Sequence, residues 1–288
     1  MKNITKIALI TSLFGSTVNA APVVFAQGGD DTAASIQAVV DDFRNTLGDL
    51  NAPEPVSLSN GRRQIDWDAA PDGVSAPNPF AGDFFNFNAF PRARGIVFNT
   101  AGTGFQLSAT NASGVGINFA NINPSYATEF GTFSAERLFT AIDSNIVEAR
   151  FFLPGTNIPA TVSGLGVVFT DVDTATSTQI EFYGTNNQLL TTQMVPAGTV
   201  SSQSLSFLGV YFDAGEQIAR VRITSGDANL SAANTEGGGI DLVAMDDFIF
   251  GEPQGIPPTQ VPTLSQWAMI LLLISLVFLG MYRLNQRT

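Results

Sequence analysis

Three groups of acidic residues place oxygen atoms at spacings that chemistry could use. Asp171-Val172-Asp173 puts two carboxylates on the same side of an extended backbone. Asp246-Asp247 stands in an apolar run, and Asp66 and Asp68 flank Trp67. The chain has no histidine and no cysteine. Disulfides, thiol nucleophiles, Ser-His relays and zinc sites built on nitrogen or sulfur are therefore excluded. Both lysines, Lys2 and Lys6, lie at the very start, so Schiff-base chemistry in a mature domain is excluded as well. What remains is a hard cation held by oxygen, calcium above all, or catalysis by carboxylates. Asp171, Asp173, Asp246 and Asp247 are the candidate calcium ligands; the plain alternative is that all four are solvated turn and edge residues. A glycan hydrolase or lyase would need two carboxylates flanking a sugar cleft, and the sequence offers no way to pair them. A non-catalytic role is expected ahead of an enzyme. Trp67, Tyr183 and Tyr211 are candidate platforms for a sugar ring, although each also suits a core or rim position.

The charge balance bears on partners. A formal net charge of −12 and a pI near 4.2 repel nucleic acid and anionic lipid, so no nucleic-acid partner is expected. With 44% apolar residues the chain can bury a core. Its 27 glycines, 15 prolines and 23 phenylalanines suit many turns around an aromatic interior.

The elements that must hold these residues are mostly strands. Residues 32–50 are the exception: Ile36, Val39, Val40, Phe43, Leu47 and Leu50 recur at helical spacing, with Asp30 and Asp31 placed to cap the start. That helix would pack on the main domain or bind a partner. Residues 179–183 and 189–194 flank Gly184-Thr185-Asn186-Asn187, a hairpin signal. Residues 218–223 alternate as a strand with one buried face. Residues 166–170, 206–212 and 244–250 read as short apolar strands, and 95–109, broken by Gly102 and Gly104, as another hairpin. The expected fold is mainly β: an antiparallel, jelly-roll-like β-sandwich with one N-terminal helix and a C-terminal transmembrane helix.

The two ends carry the clearest signals. Lys2 and Lys6 precede a short apolar run, Ile7 to Val18, which is the pattern of a secretory signal. Val18-Asn19-Ala20 and Val24-Phe25-Ala26 are two candidate signal-peptidase sites. At the other end Trp267 to Tyr282 is apolar but for Ser275, with Arg283 and Arg287 after it. The run falls slightly short of the ~20 residues of a stable span, and the arginines would keep the tail's end cytoplasmic. Before it stand Val261, Pro262, Thr263, Leu264, Ser265, Gln266 and Trp267. This motif, followed by an apolar helix and a basic end, resembles the IPTL-CTERM sorting signal, a relative of PEP-CTERM, with Val261 for Ile and Gln266 for Glu. The resemblance implies processing by an exosortase-type membrane transpeptidase. A plain stop-transfer anchor is the alternative, and it too puts the domain outside the inner membrane.

A second resemblance rests on Arg62-Arg63-Gln64-Ile65-Asp66-Trp67-Asp68, together with Asp83-Phe84-Phe85-Asn86, Arg94-Gly95-Ile96-Val97-Phe98 and Gly102-Thr103-Gly104-Phe105. These segments resemble a family of uncharacterised bacterial exported domains. No activity and no site come with that resemblance.

The expected organisation is a signal peptide at 1–26, a helix and linker at 27–60, the β-sandwich at 61–252, a Pro-rich linker at 253–260 and a sorting signal with its membrane helix at 261–288. The expected function is an exported, C-terminally sorted cell-surface or extracellular-matrix protein, with an adhesive or glycan-binding role toward extracellular polysaccharide. The alternative is a carboxylate-based glycan hydrolase or lyase. The partners implied are signal peptidase, the exosortase and the membrane itself.

Overall fold

A computed structural model describes residues 21–213, 217–256 and 264–286. In chain order these form β1 (Val23–Gly28), α1 (Ala34–Leu47), β2 (Arg62–Ile65), β3 (Ile96–Asn99), β4 (Gly104–Leu107), the single turn α2 (Tyr126–Glu129), β5 (Phe139–Ile142) and β6 (Ile146–Phe151). There follow β7 (Ala160–Thr161), β8 (Gly164–Thr170), β9 (Gln179–Tyr183), β10 (Leu189–Met194), β11 (Leu205–Tyr211), β12 (Arg220–Thr224), β13 (Ala244–Gly251), β14 (Gln254–Gly255) and α3 (Leu264–Asn285). One sheet runs β1-β11-β8-β13-β5-β4, with β2 also paired to β13. A second runs β10-β9-β12-β6-β3, and β14 pairs with β7. Each of these strand ladders is antiparallel.

Period-two burial explains the two layers. In β9 and β12 every second residue is buried, so Ile180, Phe182, Val221 and Ile223 face inward. They meet Leu165, Val167 and Phe169 of β8 and Phe248 and Phe250 of β13 in one shared core. Trp67 sits inside it, fully buried and stacked on Phe139 with ring centroids 4.3 Å apart.

In β8 and β13, by contrast, no residue is exposed. The reason is α1. Its Ile36, Val40, Phe43 and Leu47 recur on one face and pack on Val168, Leu205, Phe207 and Ile249, the outward side of the larger sheet. Burying each such side chain contributes about 1.5–3 kcal/mol. The helix approaches closely because Gly166 and Gly209 lie beneath the Phe43 ring; a Cβ on either would stand 2.8 Å from that ring.

Several expectations need correction. The 95–109 segment is not a hairpin: β3 pairs with β6 in the smaller sheet, whereas β4 pairs with β5 in the larger one, so the chain crosses between layers. The helix is shorter than 32–50, and its N-cap, Ala33, lacks a side-chain cap. Asp30 instead accepts hydrogen bonds from the N–H and hydroxyl of Thr32 at 2.8 and 2.6 Å, one turn earlier. Within residues 27–60 the helix does pack on the main domain, one of the two roles expected of it, because α1 covers the larger sheet. A signal peptide ending at Ala26 would split β1, whereas one ending at Ala20 leaves it whole. Pro253 to Gly255 belong to the β unit through β14, not to a free spacer.

The β unit ends at Gly255, and a second compact unit begins at Ile256. Within it α3 is 22 residues long, about 33 Å at 1.5 Å per residue. It starts at Leu264, so Leu264–Trp267 form its first turn and the helix is longer than the apolar run suggested. Its segment Ala268–Asn285 has mean hydropathy 1.9 and no buried residue. It is long and apolar enough to cross a membrane. Val261, Pro262 and Thr263 lie outside the described residues.

Candidate functional site

The four candidate aspartates fall into two separate groups. Asp246 and Asp247 occupy a bulge of β13, where the register to β8 slips between Met245 and Phe248. Both are buried, and both are satisfied. Asp246 accepts from the N–H of Phe133 at 2.6 Å and from Ser134. Asp247 accepts from Arg44 of α1 at 3.0 Å, Gln64 at 2.9 Å and the Ser134 hydroxyl at 2.8 Å. Burial pushes the Asp247 carboxyl up to about 6, and burial with the neighbouring Asp247 charge holds Asp246 well above the usual carboxylate range. These side chains fasten α1, β2 and the 133–134 loop to β13. Both of these candidate calcium ligands have oxygens that already accept from protein donors.

The Arg62–Asp68 segment does the same work. Arg63 forms a bidentate pair with Glu252, Gln64 reaches Asp247, and Ile65 and Trp67 enter the core. The Trp67 indole N–H donates to the Asp246 carbonyl at 2.6 Å. Asp68 accepts from the Arg137 N–H at 2.9 Å, and burial raises its carboxyl above the usual range. Asp66–Asp68 lie just past β2 rather than in it. Trp67 therefore offers no surface to a sugar.

The two tyrosines do not form a joint platform either. Tyr211 packs toward α1 on the outside of the larger sheet. Tyr183 lies in the other sheet, its ring covered by Arg220 at 3.8 Å and its hydroxyl donated to Glu181 at 2.9 Å.

Asp171 is different. It follows the last residue of β8 in the left-handed region, with φ at 68°, and is wholly buried. Neither carboxylate oxygen has a hydrogen-bond partner. Its N–H donates to the Ser204 carbonyl at 2.8 Å, and the buried Ser204 hydroxyl also lacks a partner. The charges of four further carboxylates reach it. Glu129 ends α2, and its carbonyl accepts from Gln203 N–H at 2.7 Å while its carboxylate accepts from Ser202 at 3.1 Å. Asp241 accepts from the N–H groups of Asp173 and Thr174 at 3.3 and 2.9 Å and from the Ser177 hydroxyl at 2.5 Å, bracing the turn that carries Asp173. Glu236 accepts from Leu242 N–H at 2.7 Å, next to Asp241. Burial, with the charges of Asp173, Glu236, Glu129 and Asp241, pushes the Asp171 carboxyl up to about 9. Burial pushes Glu236 up to about 7, and Asp173 also rises.

Sequence spacing flagged Asp171 and Asp173 but not Glu129, Glu236 or Asp241. No local signal could have: their positions are scattered, and only the meeting of strand ends joins them. Among the described residues no three acidic groups already converge as a ligand set.

A shallow recess of about 330 Å³ on the smaller sheet is lined by Asn99, Thr100, Ala101, Ile146, Glu148 and Arg222. Its carboxylate, Glu148, is paired with Arg220 at 2.9 Å.

No protein-family model matches the chain, and no curated protein or solved structure shows significant similarity to it.

Proposed function

We propose that this is an exported surface protein, tethered to a membrane by α3, that displays its β unit outside without catalysing a reaction. The observation that carries this reading is α3 itself: a 22-residue apolar helix with none of its membrane-length segment buried, following a β unit with its own core. A helix apolar all round and unburied by protein has a bilayer as its natural solvent. The flanking charges agree on orientation, with Lys2 and Lys6 before the first apolar run and Arg283 and Arg287 after the last. The order of Pro262, Thr263 and Trp267 before the helix supports exosortase-type sorting. The sandwich is read here as jelly-roll-like, supported by ladders such as β1–β11 and β8–β13 that join strands distant in sequence.

The role we infer is adhesive or glycan-binding, and the polar recess around Asn99 and Arg222 suits the hydroxyls of an extracellular polysaccharide. A carboxylate-based hydrolase or lyase is less well supported. Its best candidates, Asp171, Asp246 and Asp247, are sealed from solvent and could not touch a substrate.

Protease added outside intact spheroplasts should digest the 61–252 region. Full protection of that region would overturn the reading. Replacing Pro262-Thr263 by alanines should leave an uncut precursor in the inner membrane, and normal release of that variant would reduce the tail to an ordinary anchor.

A further inference from the structure

We propose that Asp171 is the central ligand of a calcium site closed by Asp173, Glu129 and Glu236, with Asp241 bracing the turn on which Asp173 stands. The inference goes beyond the surface-protein reading and stands on these side chains whether or not the chain is exported.

The argument starts from an unmet need. A carboxylate shut away from water without a donor is costly, because burial strips its hydration and returns nothing. Asp171 has both oxygens in that state, and it is fully buried. A proton alone does not resolve this. The protonated acid would carry an O–H that must donate, yet neither oxygen has a partner. The hydroxyl of Ser204, the residue whose carbonyl takes the Asp171 N–H, is a second orphan, and its oxygen is a competent ligand for a hard cation.

Placement supplies the rest. Asp171 at the end of β8 and Glu129 at the end of α2 are tied to the same 202–204 segment through Ser204, Gln203 and Ser202. The Gly131 N–H also donates to the Thr170 hydroxyl at 2.9 Å, fixing the α2 exit against β8. Tyr126 accepts from Ser231 N–H and donates toward the Ser231 and Asn234 carbonyls at 2.9 and 2.8 Å, which holds the loop leading to Glu236. Four chain segments thus carry acidic groups whose charges reach Asp171.

The carboxylates are gathered rather than closed, as no three yet form a ligand set. Asp173 is exposed, and Glu129, at the end of α2, and Glu236 are half-buried, so rotation of their side chains can close them on an ion held by Asp171. Calcium suits such a site better than magnesium. It accepts six to eight oxygens in flexible geometry, whereas magnesium demands a near-ideal octahedron.

The test uses the full-length protein in detergent, at constant ionic strength, titrated with calcium by calorimetry and melted in calcium, magnesium or EGTA. Calcium should bind at one site and raise the midpoint by about 5–10 °C at a hundredfold excess over Kd. Asp173→Asn and Glu236→Gln should weaken binding by roughly tenfold or more. Asp171→Asn should abolish it and, in EGTA, melt no lower than the wild type, because the amide is neutral without having to take up a proton. Asp247→Asn should leave the calcium response unchanged. If Asp171→Asn does not fold, the two part-exposed variants decide. Absent heat with coincident melts, or a calcium response that survives both Asp173→Asn and Glu236→Gln, overturns the site.

Discussion

The guanidinium of Arg63 faces the carboxylate of Glu252 in a bidentate pair, at 2.5 and 2.7 Å, with both side chains 1% exposed. The two residues are far apart in sequence, yet they join β2 to the end of β13. Arg63 also donates to the carbonyls of Ala52, Val56 and Ala93, and Glu252 accepts from Asn51 and Leu58 N–H, so the pair pins the otherwise irregular 51–58 segment. Removing one partner strands a buried charge. Arg63→Met or Glu252→Leu alone should cost about 3–5 kcal/mol in urea unfolding, and the double variant should recover most of that. A double variant no better than the singles would mean the backbone contacts, not the ion pair, dominate.

The contact between α1 and the sheet is set by two glycines. Gly209→Ala places a methyl group 2.8 Å from the Phe43 ring and should destabilise by about 1–3 kcal/mol through overpacking. Adding Phe43→Leu should relieve part of that clash, so a double-mutant cycle should show coupling. Strict additivity would show that Phe43 does not press on Gly209.

Stability of the metal-free protein should fall as pH rises. In the unfolded chain Asp171 loses its proton near pH 4. In the fold, burial and the surrounding acids hold that proton to about 9. Between those values the folded state binds more protons, so raising the pH favours unfolding. Glu236, held to about 7, and Asp247, held to about 6, act in the same direction over narrower windows. Melting midpoints in EGTA should therefore decline from about pH 5 to about pH 8. Saturating calcium should flatten the decline, because the ion takes the deprotonated carboxylates. A midpoint that climbs with pH in EGTA would contradict the buried acidic cluster.

Export should preserve β1. Mass spectrometry of the mature protein from its own host should find Ala21 at the N-terminus, which leaves all six residues of Val23–Gly28 to pair with β11. A chain begun at Gln27 loses the Phe25 ring, 5.4 Å from Phe43, and should be less stable by about 1–3 kcal/mol. A mature terminus at Gln27 would show that β1 is dispensable.

How much of this was legible beforehand follows from the range of the forces involved. The alternation in 179–183 and 218–223 and the Gly-Thr-Asn-Asn turn are local, and they predicted β9, β12 and the β9–β10 hairpin. The i, i+4, i+7 spacing of Ile36, Val40 and Phe43 likewise marked α1 and its buried face. The lack of histidine and cysteine narrowed the chemistry to oxygen ligands, and the apolar tail marked α3. All of these are properties of neighbours in the chain, where side-chain periodicity reports burial directly. Tertiary structure decided what depends on distant pairing. It sent β3 and β4 to opposite sheets although only a short turn separates them. It buried Trp67, and it spent Asp246 and Asp247 on Arg44, Gln64 and Ser134. It also brought Glu129, Glu236 and Asp241 around Asp171. A carboxylate's role depends on whether donors, water or other charges surround it in space, and in this chain those surroundings come from residues dozens of positions away.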